Sequence, residues 1–247
     1  MPRPNQRTHK RSALYAPISF LLICLALVFG MSVFFRVTTI AVEGNARYSP
    51  EEIISASGIE KGDNLFFINQ FTAVSRIYSK LPFVEKATIN RGLPNRLTIV
   101  VAESQAIAYV TAEDGIWAID RGCKLLSKVE GDALRGLIRV EGIAAIAPEA
   151  GKTIEAGEAE SPKVTYLAAI LRQIDGLGLR GDVSYVDING IANPYFDYLG
   201  RFKVRLGSNE NLEYKFQCLL SAVAELSDGD RGTLDLSIDK RAHLTYD

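Results

Sequence analysis

The hydrophobic and polar positions divide the chain into an apolar N-terminal run and a long mixed remainder. Residues 12–35 are 24 consecutive positions without a formal charge, dense in Leu, Ile, Val and Phe. A helix that crosses a bilayer core needs roughly 20 such residues, so we expect a transmembrane helix over residues 14–35. A cleaved signal peptide is the alternative, but its apolar stretch is usually about 7–15 residues and ends in small residues. Here the run ends in Val33, Phe34 and Phe35, which favours a retained anchor.

The residues ahead of this run are basic. The chain has no acidic residue before Glu43. The basic residues of the tail are Arg3, Arg7, Lys10 and Arg11. Because basic flanks of a span stay in the cytoplasm, we expect residues 1–13 to be a cytoplasmic tail and the rest of the chain to lie outside the cytoplasm.

The pattern of residues 36–104 predicts one compact α+β domain. A β-branched run over residues 36–42 predicts a strand, and Ser49-Pro50-Glu51-Glu52 is typical of a helix start. A second helix is predicted from apolar residues at helical spacing, namely Phe71, Val74, Ile77, Tyr78 and Leu81. Two strands, 84–91 and 96–103, enclose a turn made of Gly, Leu, Pro and Asn. The predicted order is strand, helix, helix, strand, strand.

Residues 105–247 predict a β-rich domain with two flanking helices. Short apolar runs broken by Asp and Gly predict hairpins up to about residue 128. A cap followed by proline at Ser161 and Pro162 predicts the first helix, and apolar spacing over 212–223 predicts the second. A closing strand is expected from Thr233 to Thr245.

The composition of the part expected outside the cytoplasm limits the kinds of partner and site that it can have. Without the four basic residues of the tail, 24 basic residues remain against 29 acidic ones, a net charge of −5. Nucleic-acid binding needs a basic patch, so we expect no nucleic-acid partner. Cys123 and Cys218 are compatible with one disulfide and equally with two separate thiols, and their spacing does not indicate a metal or redox site.

Catalytic motifs are sparse. Ser237 and Lys240 have the S-x-x-K spacing of penicillin-binding proteins, but in the predicted strand an offset of three places them on opposite faces. A Ser-His-Asp triad would depend on His243 alone. We therefore expect no catalytic residue, metal or cofactor, and keep a membrane-anchored cell-wall enzyme of the S-x-x-K type as the alternative. A ligand receptor is a further alternative, based on the aromatic residues Trp117, Tyr195 and Tyr198.

Four stretches of the chain carry a resemblance to a known family. They are FRVTTIAVEGNARYSPEEI, FVEKATINRGLPNRLTIVVAESQAIAYV, FKVRLGSNENLEYKFQCLLSAVAEL and GTLDLS. Their order resembles that of the FtsQ/DivIB family of bacterial cell-division proteins, in which a short tail and one span precede a POTRA domain and a β-rich domain. The resemblance covers about residues 36–247 and is weakest over 130–180. It implies a POTRA domain over 36–104 and an FtsQ-type β domain over 105–247.

The resemblance also implies a function. Such a protein is a non-catalytic scaffold of the divisome, in the cell membrane at the division septum, and it binds the single-span coiled-coil proteins FtsB and FtsL. The POTRA domain of the family is linked to recruitment. FtsB is bound where a partner strand adds to an exposed sheet edge, whose unpaired N–H and C=O groups it satisfies. Aligning LDLSIDKRAH with the family places this contact at Ser237, Ile238, Asp239, Lys240 and Arg241.

Overall fold

The computed structural model describes residues 12–238 and 242–246. The chain forms two compact units. One contains the residues up to 77 together with 86–102, and the other contains 78–85 together with the residues from 103 onward.

The apolar run is one helix, α1 (Ser12–Phe34), of 23 residues. At 1.5 Å per residue its length is about 35 Å, which is sufficient for a bilayer. Its apolar side chains are exposed along the helix, Phe20 by 70% and Phe29 by 71%. Within the described residues it is the one helix long and apolar enough to cross a membrane.

The first unit contains a small sheet and two helices. Its elements are β1 (Thr39–Glu43), α2 (Pro50–Ser57), α3 (Gln70–Lys80), β2 (Val84–Gly92) and β3 (Arg96–Glu103). The sheet order is β1-β3-β2, and β1 runs parallel to β3. The predicted start of α2 is confirmed, because the Ser49 side chain accepts from the Glu52 N–H and the Glu52 carboxylate accepts from the Ser49 N–H. The predicted order of elements is confirmed as well.

The predicted apolar face of α3 is wrong at two positions. Ala73 and Ile77 are the buried residues of this helix, whereas Phe71 is 84% exposed and Tyr78 is 38% exposed. Phe71 and Ala73 are two positions apart, which is about 200° around an α-helix. The core of the unit therefore contacts the Ala73 side of the helix, and Phe71 is exposed on the opposite side.

The second unit is built on one nine-stranded mixed sheet. Its elements are β4 (Ala108–Ala112), β5 (Gly115–Ile119), β6 (Leu125–Lys128), β7 (Ile138–Ala145), α4 (Ser161–Gly176), β8 (Tyr185–Asp187), β9 (Tyr195–Tyr198), β10 (Phe202–Arg205), α5 (Leu212–Ala224), β11 (Gly232–Asp235) and β12 (His243–Tyr246). The strand order is β12-β11-β10-β9-β8-β7-β4-β5-β6. The expected α+β fold, with a β-rich second part and two helices, is confirmed.

The core of this unit lies between the sheet and its helices. Leu167 and Leu171 of α4 and Phe216 of α5 are fully buried in it. The ring of Phe216 stacks on that of Phe196 in β9, with centroids 5.5 Å apart. Burying one such side chain stabilises a fold by about 1.5–3 kcal/mol. These contacts hold α5 on the half of the sheet that ends in β12.

The predicted closing strand is wrong in one respect. Residues 233–245 do not form one strand, because β11 ends at Asp235 and β12 begins at His243. The Asp235 carboxylate accepts from the Ser237 N–H at 2.8 Å, a local bond that turns the chain out of the ladder. The result is two antiparallel strands in place of one.

The cysteines are free thiols. Cys123 is buried and Cys218 is half-buried. Burial raises the pKa of the Cys123 thiol far above its ordinary value, so this group is neutral and packs as a small apolar side chain.

Candidate functional site

The outermost strand of the large sheet forms the candidate functional site. β12 pairs with β11 on one side, and no strand of the described residues pairs with its other side. β11 in turn lies parallel to β10. An unpaired edge presents backbone N–H and C=O groups to any extended segment that approaches it.

Hydrogen bonds to β10 fix the direction of the backbone groups of β11. The N–H of Gly232 donates to the carbonyl of Arg201 at 3.2 Å, and the N–H of Leu236 donates to that of Arg205 at 2.9 Å. The N–H and C=O of one strand residue point to the same side, and the side alternates along the strand. The even-numbered residues of β11 therefore face β10, and Thr233 and Asp235 face β12.

This alternation decides which groups of β12 remain available. Thr233 stands opposite Thr245, and Asp235 stands opposite His243. These pairs exchange the ladder hydrogen bonds, so the backbone groups between them point away from β11. The available groups are the N–H and C=O of Leu244 and Tyr246.

Leu244 and Tyr246 lie on the same face of β12 but differ in burial. Leu244 lies opposite the buried Leu234 and packs against the core of the unit. Tyr246 is 62% exposed and lies opposite Gly232, which has no side chain. The edge therefore offers one apolar side chain anchored in the core and one exposed aromatic ring.

Gly232 allows β11 and β12 to approach closely. Its φ angle is +144°, and a Cβ at this position would lie 2.1 Å from the carbonyl oxygen of Thr245. That oxygen is backbone and cannot move without moving β12. Glycine is therefore required for the observed pairing of the edge.

The sheet face that carries His243 is polar. A cross-strand row runs from β8 to β12 through Asp187, Tyr195, Arg205, Asp235 and His243. The Tyr195 hydroxyl is hydrogen-bonded to Asp187, and this bond raises the pKa of Tyr195 to about 12. Burial raises the pKa of Asp235, but hydrogen bonds from Ser237 outweigh that effect and hold it below its ordinary value. Both groups keep fixed charge states around neutral pH.

The two predicted contact residues that the structure describes, Ser237 and Ile238, lie next to this edge and not in it. Ser237 follows β11, close to Gly207, where an added Cβ would lie 2.6 Å from the Ser237 Cβ. Ile238 is 58% exposed. Asp239, Lys240 and Arg241 lie outside the described residues. The structure thus places the first two of the five in the connection between β11 and β12, and the edge strand itself is 243–246.

Two buried polar side chains hold the segment against which Ser237 rests. The hydroxyl of Tyr166 in α4 lies 3.0 Å from the carbonyl oxygen of Gly207 and 2.8 Å from that of Ser208. The ammonium of Lys215 in α5 donates to the carbonyls of Leu206 and Ser208, both at 2.7 Å. Both helices therefore position the connection that follows β10.

Among the described residues, the groups considered for a Ser-His-Asp triad and for an aromatic ligand platform are arranged otherwise than those sites require. Ser237 is hydrogen-bonded to Asp235, whereas a triad needs histidine between the hydroxyl and the carboxylate. Trp117 and Tyr198 are buried at 7% and 4% exposure, so in the described part they pack in the core and do not form an open platform with Tyr195. The described residues contain no cluster of three or more His, Cys, Asp or Glu side chains that could hold a metal ion.

Comparison with known proteins identifies a domain near the N-terminus and relates most of the chain to named proteins. Residues 35–104 match the family model of the FtsQ-type POTRA domain. The chain is 25% identical over 211 residues to cell division protein DivIB of Clostridium botulinum, covering 83% of this chain and 80% of the relative. It is 28% identical over 144 residues to cell division protein FtsQ of Corynebacterium glutamicum, covering 57% of this chain and 64% of the relative.

A further relative is cell division protein DivIB of Bacillus subtilis, 30% identical over 129 residues, which cover 52% of this chain and 49% of the relative. The names of these relatives support a role in cell division. The resemblance predicted from the sequence is confirmed: the chain carries an FtsQ-type POTRA domain and is related over most of its length to the FtsQ/DivIB cell-division proteins.

Proposed function

We propose that this chain is a non-catalytic scaffold of the divisome that binds FtsB/FtsL-type single-span proteins through the open edge of β12. The observation that carries the proposal is the pair of outward backbone positions, Leu244 and Tyr246, on an uncovered strand. The proposal keeps the predicted contact residues Ser237, Ile238, Asp239, Lys240 and Arg241, of which the structure describes Ser237 and Ile238.

Strand addition is the mode of binding that this edge favours. An extended partner segment would satisfy the N–H and C=O groups of two residues of β12, and each such bond contributes about 0.5–1.5 kcal/mol net. Selectivity would come from side chains beside the ladder. Tyr246 and Ile238 are exposed apolar groups that a partner can cover.

Anchoring in a membrane would strengthen this weak contact by holding the chain and its partners in the same plane. We propose that α1 spans the cell membrane with the basic tail in the cytoplasm and both units outside it, at the division septum. Partners with one span of their own move in the same plane, which raises their effective concentration at the edge. The FtsQ-type POTRA domain would recruit the protein to the division site.

The test replaces one backbone donor without changing the strand's pairing to β11. Tyr246→Pro removes an N–H that points outward, and proline is accepted at edge positions whose N–H faces solvent. Tyr246→Ala removes the same ring but keeps the donor. We expect Tyr246→Pro to reduce co-purification of the FtsB/FtsL-type partner of the same organism well below the level of Tyr246→Ala.

A second variant in the same assay addresses the connection. Ile238→Glu puts a charge on an exposed apolar side chain and is expected to weaken co-purification without lowering the thermal unfolding temperature. Equal recovery of the partner by Tyr246→Pro, Tyr246→Ala and wild type would show that binding does not use the edge. Circular dichroism spectra of each variant control for the fold.

A further inference from the structure

Three phenylalanines of the first unit are exposed close together in the chain. Phe66 is 43% exposed, Phe67 is 85% exposed and Phe71 is 84% exposed. Single exposed apolar residues are ordinary, but three large exposed aromatic rings within six positions of the chain are apolar surface that a folded domain normally covers. We refer to these three residues as the aromatic patch.

The aromatic patch is tied to the end of α1. The Asn64 side chain donates to the carbonyl of Met31 at 3.1 Å, and the N–H of Leu65 donates to the carbonyl of Phe35 at 2.8 Å. The ring of Phe66 meets that of Phe35 edge to face, with centroids 4.9 Å apart. Because the last four carbonyls of a helix lack helical partners, these bonds also cap α1.

The position of these contacts along α1 gives their depth in a bilayer. A strongly apolar stretch of 18 residues within α1 runs from Pro17 to Phe34. At 1.5 Å per residue it covers about 27 Å, close to the thickness of the hydrocarbon core. In a bilayer that α1 crosses over this stretch, Met31 would lie about one helical turn inside the end of the hydrocarbon core and Phe35 just beyond it. Residues 64–67 would then be bonded to the helix at the level of the membrane interface.

Other exposed residues of the first unit near the end of α1 are also of types found at a membrane interface. The N–H of Thr38 donates to the carbonyl of Asn95 at 2.9 Å, so the turn between β2 and β3 is at this end, and its Leu93 is 67% exposed. The exposed charged residues here are Arg36, Lys61, Arg91 and Arg96 against Glu60 and Asp63. A surface of aromatic rings with an excess of cations matches the interfacial zone of an anionic membrane.

We propose that the aromatic patch inserts into the outer interface of the membrane that α1 crosses, so that the first unit rests on lipid. This inference depends on the proposed anchor. Insertion at a second place beside the span fixes the orientation of the unit with respect to the membrane plane more firmly than attachment to the span alone. The occupant is a phospholipid bilayer, and no protein partner is needed for the contact.

The test places a fluorescent reporter in the patch of the full-length chain. Phe67→Trp, and separately Phe71→Trp, are made in a Trp117→Phe background so that each protein contains one tryptophan. The proteins are reconstituted in vesicles of phosphatidylcholine and phosphatidylglycerol, with and without bromine on the acyl chains. Bromine quenches only tryptophan that reaches the bilayer.

The control reporter is Glu51→Trp in the same background. Glu51 is exposed in the first turn of α2, beyond the far end of β1. The five residues of β1 rise about 3.3 Å each, which places this reporter well outside the interface. Thermal unfolding monitored by circular dichroism checks that Trp117→Phe and each reporter leave the fold intact.

We expect blue-shifted emission and quenching by brominated lipid for Phe67→Trp and Phe71→Trp, and neither effect for Glu51→Trp. If the patch reporters behave like Glu51→Trp while the protein stays in the membrane after alkaline carbonate washing, the anchor holds and the lipid contact is refuted. If carbonate extracts the protein, the proposed anchor fails, and this inference fails with it.

Discussion

At the scale of single residues, Gly232 controls whether the sheet has a usable edge. Its backbone angle belongs to a region that side-chain-bearing residues rarely adopt, and the carbonyl of Thr245 occupies the space of a Cβ. Gly232→Ala is expected to lower the free energy of unfolding by about 1–3 kcal/mol, because the strained backbone is retained or β12 moves away. Urea unfolding measures the loss, and hydrogen exchange of residues 243–246 shows whether β12 has separated.

Gly229 provides the matched control for that substitution. An added Cβ there meets no atom within 4 Å, and its backbone angle is an ordinary one. Gly229→Ala should change stability by less than about 0.5 kcal/mol and leave exchange in β12 unchanged. Similar effects of the two alanines would mean that Gly232 does not set the position of the edge.

At the scale of elements, Tyr166 links α4 to the connection that follows β10. Burial raises the pKa of its hydroxyl well above the ordinary value, so the group stays a hydrogen-bond donor at all physiological pH values. Tyr166→Phe leaves the carbonyl of Gly207 without this donor, while Ser208 keeps its bond to Lys215. We expect a loss of about 1–2 kcal/mol in the free energy of unfolding.

Tyr246→Phe removes a hydroxyl from an exposed ring and is the control for that prediction. It should change the free energy of unfolding, measured by chemical denaturation, by less than about 0.5 kcal/mol. In Tyr166→Phe, the Ser237 N–H should also exchange faster, since Gly207 is the neighbour against which Ser237 rests. Unchanged stability in Tyr166→Phe would show that the Tyr166 hydroxyl does not support the connection.

The elements that the sequence predicted are those with local signals. The start of α2 follows from Ser49 and Glu52, and the hairpin of β2 and β3 follows from its turn residues. β7 gave no such signal, because Gly142 interrupts its pattern and its partners are β4 and β8, both distant along the chain.

The candidate edge shows the same limit. The four residues of β12 are few, and sequence cannot tell which strand of a nine-stranded sheet is outermost. That position is decided by the order of pairing across the whole unit. The bond from the Ser237 N–H to Asp235, which ends β11, is local, and an Asp two residues before a Ser is the signal that could have revealed it.

At the scale of the whole molecule, function depends on which side of the membrane both units occupy. The tail carries four basic residues, whereas residues 36–46 contain one, Arg36, together with Glu43. Orientation follows the excess of Lys and Arg in the segments flanking a span, and acidic residues contribute little. Under the proposed topology, this difference between the two flanks is what directs both units outward.

Removing part of the excess of basic residues in the tail should reverse the membrane orientation of a fraction of the molecules. Lys10→Glu with Arg11→Glu halves the basic residues of the tail, and we expect protease added to intact spheroplasts to leave part of the variant undigested. Arg135→Glu with Lys152→Glu makes the same charge change about 100 residues beyond the span, where charge has little effect on orientation. This control should remain fully accessible to protease. Full digestion of both variants would mean that the basic tail does not orient the chain, whereas protection of the tail variant alone would tie the outward position of the β12 edge to those charges.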